Sequence, residues 1–154
     1  MEVRVSGRRR LGLVALALTY SKEIEYSGPV FKNMEISDNR AVLNFDHATG
    51  GLVSRNQKQA GKLSFFAIAG KDRVWHWADA VIESDTVVVS SSMVPVPAAV
   101  RYAWTPNVVC DFYNQVGLPA SPFRTDDWPL STEGKIYQPG KDFLNAWQEV
   151  INQT

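Results

Sequence analysis

The chain has 154 residues, of which 45% are hydrophobic and 21% are charged, and its 16 Lys and Arg residues balance 16 Asp and Glu residues. This length is enough for one domain with a hydrophobic core, and zero formal net charge removes the basic face on which nucleic-acid binding relies. A single cysteine, Cys110, excludes an internal disulfide, and no Cys/His cluster has zinc spacing. No apolar run reaches the roughly 18 residues of a membrane span. We therefore expect neither nucleic acid nor a membrane as a partner.

The first predicted element is a helix over residues 7–20, with Ser6 as its N-cap. Apolar residues occupy almost every face of it: Leu11, Leu13, Val14, Ala15, Leu16, Ala17 and Leu18. A helix of this kind needs burial on several sides, so we expect self-association through it where no partner covers it.

From residue 30 onward the apolar residues alternate with a period of two, which predicts strands separated by turns. A hairpin is predicted over 30–45, with its turn at Ser37-Asp38-Asn39, and further strands over 63–69, 74–82, 86–90 and 99–104. Prolines and glycines make 105–138 loop-rich, and an apolar stripe predicts a short helix over 141–151. The pattern predicts a mainly β domain, an antiparallel, jelly-roll-like β-sandwich.

Residues that could carry catalysis are few. The chain has no Gly-x-Ser-x-Gly motif and only two histidines, so we predict no catalytic residue, no metal and no cofactor. His47 follows Asp46 in a Gly-rich loop, where it either lines a site or sets the turn through hydrogen bonds. His76 lies between Trp75 and Trp77 on a strand, so it points away from the face that the two tryptophans share, and we expect a surface or half-buried side chain.

The aromatic residues allow two interpretations. Trp75, Trp77, Tyr102, Trp104 and Trp128 form either a sugar-stacking platform or, as we favour, the packing of a small core. The candidates for substrate binding are His47, Trp75, Trp77 and Trp128, and those for a structural role are Arg101, Tyr102 and Trp104. Arg101 carries a charge inside an apolar run, so we expect it to pair with a carboxylate, Asp79 or Asp126. Asp79 shares the strand parity of Trp75 and Trp77.

Six blocks resemble, in the same order, the C-terminal part of the sialate O-acetylesterases, a branch of the SGNH-hydrolase carbohydrate esterases. They are Tyr26-Ser27-Gly28-Pro29-Val30-Phe31-Lys32, Phe45-Asp46-His47 with Gly50-Gly51-Leu52, Phe66-Ala67-Ile68-Ala69-Gly70, Trp77-Ala78-Asp79-Ala80, Ala99-Val100-Arg101-Tyr102-Ala103-Trp104 and Gly117-Leu118-Pro119-Ala120-Ser121-Pro122-Phe123-Arg124-Thr125-Asp126. The resemblance covers residues 9 to 128.

The resemblance implies a β-sandwich packed on an α/β hydrolase body. In that family the catalytic serine and histidine lie before the helix that residues 9–16 resemble, and this chain carries neither motif. We therefore expect residues 1–24 to be the terminal helix of a truncated hydrolase domain, 25–128 a β-sandwich and 129–154 an extension. Family members are often secreted, periplasmic or lysosomal, but residues 11–18 lack a signal-peptide cleavage site and give no localisation for this chain.

The expected function is that of an accessory domain, inactive alone, in a serine esterase that deacetylates sialic acids or other sugars. Its expected partners are the hydrolase domain of the parent enzyme and, through that domain, acetylated carbohydrate. The alternative is a carbohydrate-binding module that uses exposed tryptophans.

Overall fold

The structure is a computed structural model that describes residues 7–20, 24–56, 60–105, 108–129 and 134. The described chain contains one helix, α1 (Gly7–Leu18), and eleven strands. The strands are β1 (Val30–Ser37), β2 (Arg40–Asp46), β3 (Leu52–Ser54), β4 (Lys62–Leu63), β5 (Phe66–Ala69), β6 (Trp75–Trp77), β7 (Asp79–Glu83), β8 (Thr86–Ser90), β9 (Ala99–Tyr102), β10 (Phe112–Asn114) and β11 (Phe123–Arg124). The predicted helix over 141–151 and the predicted N-cap Ser6 lie outside the described residues.

The strands form three antiparallel sheets. A five-stranded sheet has the order β1-β2-β8-β7-β4, a four-stranded sheet has the order β11-β9-β5-β6, and β10 pairs with β3. The predicted hairpin is present as β1 and β2, with Asp38 at a φ of 54° in the turn. Aspartate tolerates this left-handed conformation better than most residues. The predicted class, a mainly β antiparallel fold of sandwich type, is confirmed.

The hydrophobic core lies between the two larger sheets. Alternate residues of β2 and β8 point inward from the five-stranded sheet, and alternate residues of β5 and β9 point inward from the four-stranded sheet. The buried cluster is Ala41, Leu43, Phe45, Leu63, Phe66, Ile68, Ala80, Val87, Val89, Val94, Val100, Tyr102, Phe112, Ala120 and Phe123. Phenylalanine rings bridge the sheets, since Phe45 and Phe123 lie 5.7 Å apart in an edge-to-face arrangement.

The predicted strand over 74–82 is divided at Ala78. Its first part, β6, pairs with β5 in the four-stranded sheet, and its second part, β7, pairs with β4 and β8 in the five-stranded sheet. The chain thus turns a corner of the sandwich, where Ala78 N donates to the Phe66 carbonyl at 3.0 Å. A period of two does not continue across a change of sheet, so the shared face predicted for Asp79 and the two tryptophans is wrong.

Helix α1 is present where the sequence predicted it. Leu11 is 72% exposed and Leu16 is 44% exposed. Within the described ranges no helix combines the length and apolarity that crossing a membrane requires.

Candidate functional site

A groove of about 370 Å³ lies on the outer face of the four-stranded sheet. It is lined by Phe65, Ala67, Trp75, His76, Trp77, Arg101, Trp104 and Thr105. The core residues of the same strands, such as Phe66 and Tyr102, point to the opposite face. A second depression of about 430 Å³ shares Phe65, Trp77 and Thr105, so the groove extends past Trp77.

The groove exists because small residues alternate with large ones across the sheet. In the register row that lines the groove, Ala67 lies between Trp77 and Arg101. A methyl side chain between bulky neighbours leaves a depression, since successive side chains on one face of a strand stand side by side. Ala67 therefore lies at the floor of the groove.

Two tryptophans on either side of this floor are exposed to solvent. Trp77 is 69% exposed and Trp104 is 47% exposed. Trp75 and Trp128 are half-buried and contact each other with ring centroids 5.5 Å apart. None of these four is part of the buried core, so the favoured core-packing interpretation is wrong for them.

Tyr102 has the opposite environment from the groove tryptophans. Its side chain is fully buried, and its hydroxyl lies 2.7 Å from Cys110 Sγ. Burial, together with the contact to this thiol, raises the pKa of Tyr102 far above its ordinary value. Tyr102 therefore belongs to the core, and its inclusion in a sugar-stacking platform is wrong.

Arg101 is held rigidly at the edge of the groove. Its Nε donates to Asp126 Oδ2 at 2.8 Å and its Nη2 donates to Asp126 Oδ1 at 2.7 Å, while its guanidinium stacks 4.1 Å from the Trp75 ring centroid. The Asp126 side chain is 1% exposed. Hydrogen bonds from Arg101 outweigh burial and hold the pKa of Asp126 below its ordinary value. The predicted pairing with Asp126 is confirmed, whereas Asp79 instead lies 3.5 Å from Lys62 Nζ.

His47 lies in a separate cluster at the end of β2. The His47 Nδ1 atom is 2.7 Å from Glu25 Oε1, and Thr49 Oγ1 donates to the other oxygen of the same carboxylate. The backbone carbonyl of His47 accepts a hydrogen bond from Asn114 Nδ2 at 3.0 Å. Burial opposes ionisation of Glu25, but the hydrogen bonds from Thr49 and His47 together keep its pKa below the ordinary value. His47 has a φ of 58°, so this arrangement favours the turn-setting interpretation.

The structure thus brings together only part of the candidate set. Trp75 and Trp77 line the groove, Trp128 packs against Trp75, and His47 takes no part in it. His76 and Thr105 also line the groove, although neither was among the residues predicted to bind substrate. In the part of the chain that is described, no group of three or more His, Cys, Asp or Glu residues could hold a metal ion.

Comparison with known proteins finds a carbohydrate esterase among the solved structures. No family model matches the chain, and a search of curated proteins found no match. Among solved structures, the crystal structure of a novel carbohydrate acetylesterase from Xanthomonas citri matches with a TM-score of 0.71 and 40% sequence identity, over 79% of this chain and 29% of that chain. The chain therefore has a carbohydrate esterase as a relative, and it spans less than a third of that relative's length.

Proposed function

We propose that this chain is an accessory β-domain of a carbohydrate esterase and has no esterase activity by itself. The observation that carries the proposal is the 40% identity, over 79% of the chain, with a carbohydrate acetylesterase of which it spans only 29%. The resemblance of six blocks to the sialate O-acetylesterases supports a finer assignment, in which the parent enzyme removes acetyl groups from sialic acids or related sugars.

The chemistry of the histidines supports a non-catalytic role. Acyl transfer needs a nucleophile, a base and oxyanion donors within hydrogen-bond reach of one another. His47 and Glu25 resemble the base and orienting carboxylate of a triad, but no serine or cysteine of the described residues hydrogen-bonds the His47 ring. Among the described residues that line the groove, His76 likewise has no serine or cysteine beside it, and Thr105 is the one residue with a hydroxyl group.

An esterase assay tests the claim of inactivity. The purified chain is incubated with 4-nitrophenyl acetate and with O-acetylated sialic acid, beside the Xanthomonas citri acetylesterase as a positive control and a His47→Ala, His76→Ala variant. Hydrolysis at the buffer rate for both forms of the chain is expected. Turnover well above buffer that the double variant loses would mean that the chain is itself an esterase.

A chimera tests the accessory role. The segment of the Xanthomonas citri esterase that matches this chain is replaced by this chain, and acetylesterase activity is compared with that of the parent enzyme and of a form without the segment. We expect the chimera to retain activity that the deleted form lacks. A soluble, folded chimera no more active than the deleted form would contradict the proposal.

A further inference from the structure

We infer that the outer groove of the four-stranded sheet is a binding site for neutral pyranose chains, with Trp77 and Trp104 as the stacking residues. The inference rests on the proposed function in one respect, the choice of carbohydrate as the ligand class. The site itself follows from side chains that the core does not use.

The exposure of the two tryptophans is the first argument. Large apolar side chains that remain in solvent and border a concavity are typical of binding surfaces, because the core already has enough apolar residues. Trp77 and Trp104 are 69% and 47% exposed and line the same groove. A flat indole face matches the C–H face of a pyranose ring, and its N–H can donate to a sugar hydroxyl.

Polar groups of the groove are the second argument. Arg101, His76 and Thr105 line it together with the aromatic rings. Asp126 engages Nε and Nη2 of Arg101, which leaves Nη1 without a hydrogen bond to the described residues. The stack on Trp75 and the bidentate pair hold this guanidinium in place, so it can donate to a hydroxyl without first losing side-chain freedom.

Charge points to a neutral sugar. Asp126 already compensates the charge of Arg101, and among the described residues that line the groove none is acidic. A ligand carboxylate would meet a guanidinium whose charge Asp126 already compensates, so it gains less there than at an unpaired arginine, whereas a hydroxyl needs only one N–H donor. The lining therefore favours hydroxyl groups over carboxylates.

The shape of the groove favours a chain over a single sugar. Its volume of about 370 Å³ is near the lower end of known ligand pockets, and the neighbouring depression of about 430 Å³ continues past Trp77. The loops at its mouth are fixed to each other, since Ala103 N donates to the Phe65 carbonyl at 3.0 Å. Both residues have a left-handed φ, 63° for Phe65 and 53° for Ala103, a strained conformation that is frequent at binding sites.

Isothermal titration calorimetry tests the inference. The full chain is titrated with xylohexaose, cellohexaose and mannohexaose, and with 3′-sialyllactose as the charged ligand. We expect at least one neutral oligosaccharide to bind and to bind more tightly than sialyllactose. Trp77→Ala and Trp104→Ala should each weaken binding by about tenfold. Trp77→Phe should retain most of the affinity, because it keeps a flat ring.

The matched control is Tyr20→Ala. Tyr20 is an aromatic residue of similar exposure, 68%, and lies outside the groove, so its removal should leave the affinity unchanged. The inference is overturned if no neutral oligosaccharide binds at millimolar concentration, if both tryptophan variants keep wild-type affinity, or if sialyllactose binds best. Esterase activity in the chain would refute its accessory role and leave these titrations unaffected, so the two failures are distinguishable.

Discussion

Truncating Arg101 to alanine should destabilise the domain by about 3 kcal/mol, because it leaves a buried carboxylate without its bidentate partner. The Asp126 side chain is 1% exposed and the Arg101 side chain 15% exposed, and both of their hydrogen bonds are shorter than 3 Å. Removing one member of a buried ion pair costs roughly 3–5 kcal/mol. Arg124 Nη1 lies 4.0 Å from the same carboxylate and compensates part of the loss, which places the expected value at the lower end.

Urea unfolding measures the effect. The unfolding free energy of a small domain falls by about 1–3 kcal/mol per molar urea, so a loss of about 3 kcal/mol should lower the unfolding midpoint by roughly 1–3 M. The matched control is Lys32→Ala, which removes a different ion pair. Lys32 Nζ lies 2.9 Å from Asp46 Oδ1, but the two side chains are 59% and 55% exposed. Solvent weakens such a pair, so the control should change stability by at most about 1 kcal/mol.

The pH dependence provides a second measurement. The pKa of Asp126 is lowered in the folded state, so the stability it contributes is present above its unfolded pKa, about 3.9, and is lost as the pH falls through the folded pKa. The difference in unfolding free energy between wild type and Arg101→Ala should therefore be largest near neutral pH and should shrink in acid. Equal midpoints for Arg101→Ala and wild type at neutral pH would refute the reasoning.

Three further substitutions probe other parts of the fold. Glu25→Gln should be less stable than wild type near neutral pH, and thermal unfolding in acid should show this difference disappearing. The reason is that the pKa of Glu25 is lowered in the folded state, so the stability that the ionised carboxylate contributes is lost as the pH falls through that folded-state pKa. Gly28→Ala would place a Cβ 1.9 Å from the carbonyl oxygen of Pro119, so circular dichroism should show the loss of a cooperative melt. A Leu11→Lys, Leu16→Lys variant should be monomeric by light scattering under conditions where wild type associates through α1, whose two leucines are exposed.

Local patterns predicted the regular part of the five-stranded sheet. Val87 and Val89 of β8 are buried and their neighbours are not, as strict alternation predicts. The β1–β2 turn likewise follows from Asp38, which accepts a left-handed φ. These features depend on residues close in sequence, so the sequence alone was sufficient to predict them.

The corner at Ala78 could not be predicted in the same way. The residues on both sides of it, Trp77 and Asp79, continue an extended pattern, and only their partners differ: Ala67 in one sheet and Ser90 in the other. Strands β10 and β11 were missed for a related reason, since they contain three and two residues and form through distant pairings.

The candidate site depended on which aromatic residues fill the core. Composition shows 7 Phe and 5 Trp but does not say which of them turn inward. Phenylalanines take the space between the sheets, where Phe45 contacts both Phe112 and Phe123. That leaves Trp77, on the outer face of an edge strand, free for another role.

The two most specific blocks of the family resemblance meet in space, and this connects the stability of the domain with its groove. Residues 99–104 contain β9 and residues 117–126 contain β11, and the two strands pair side by side. Arg101 and Asp126 join the same two blocks through their side chains, and Arg101 also lines the groove beside Trp75. The buried ion pair therefore has two effects, since it fixes the end of β11 to the sheet and sets the position of the guanidinium that would meet a ligand. It follows that Arg101→Ala should lower stability and sugar affinity together, whereas Trp77→Ala, at an exposed position, should lower affinity alone.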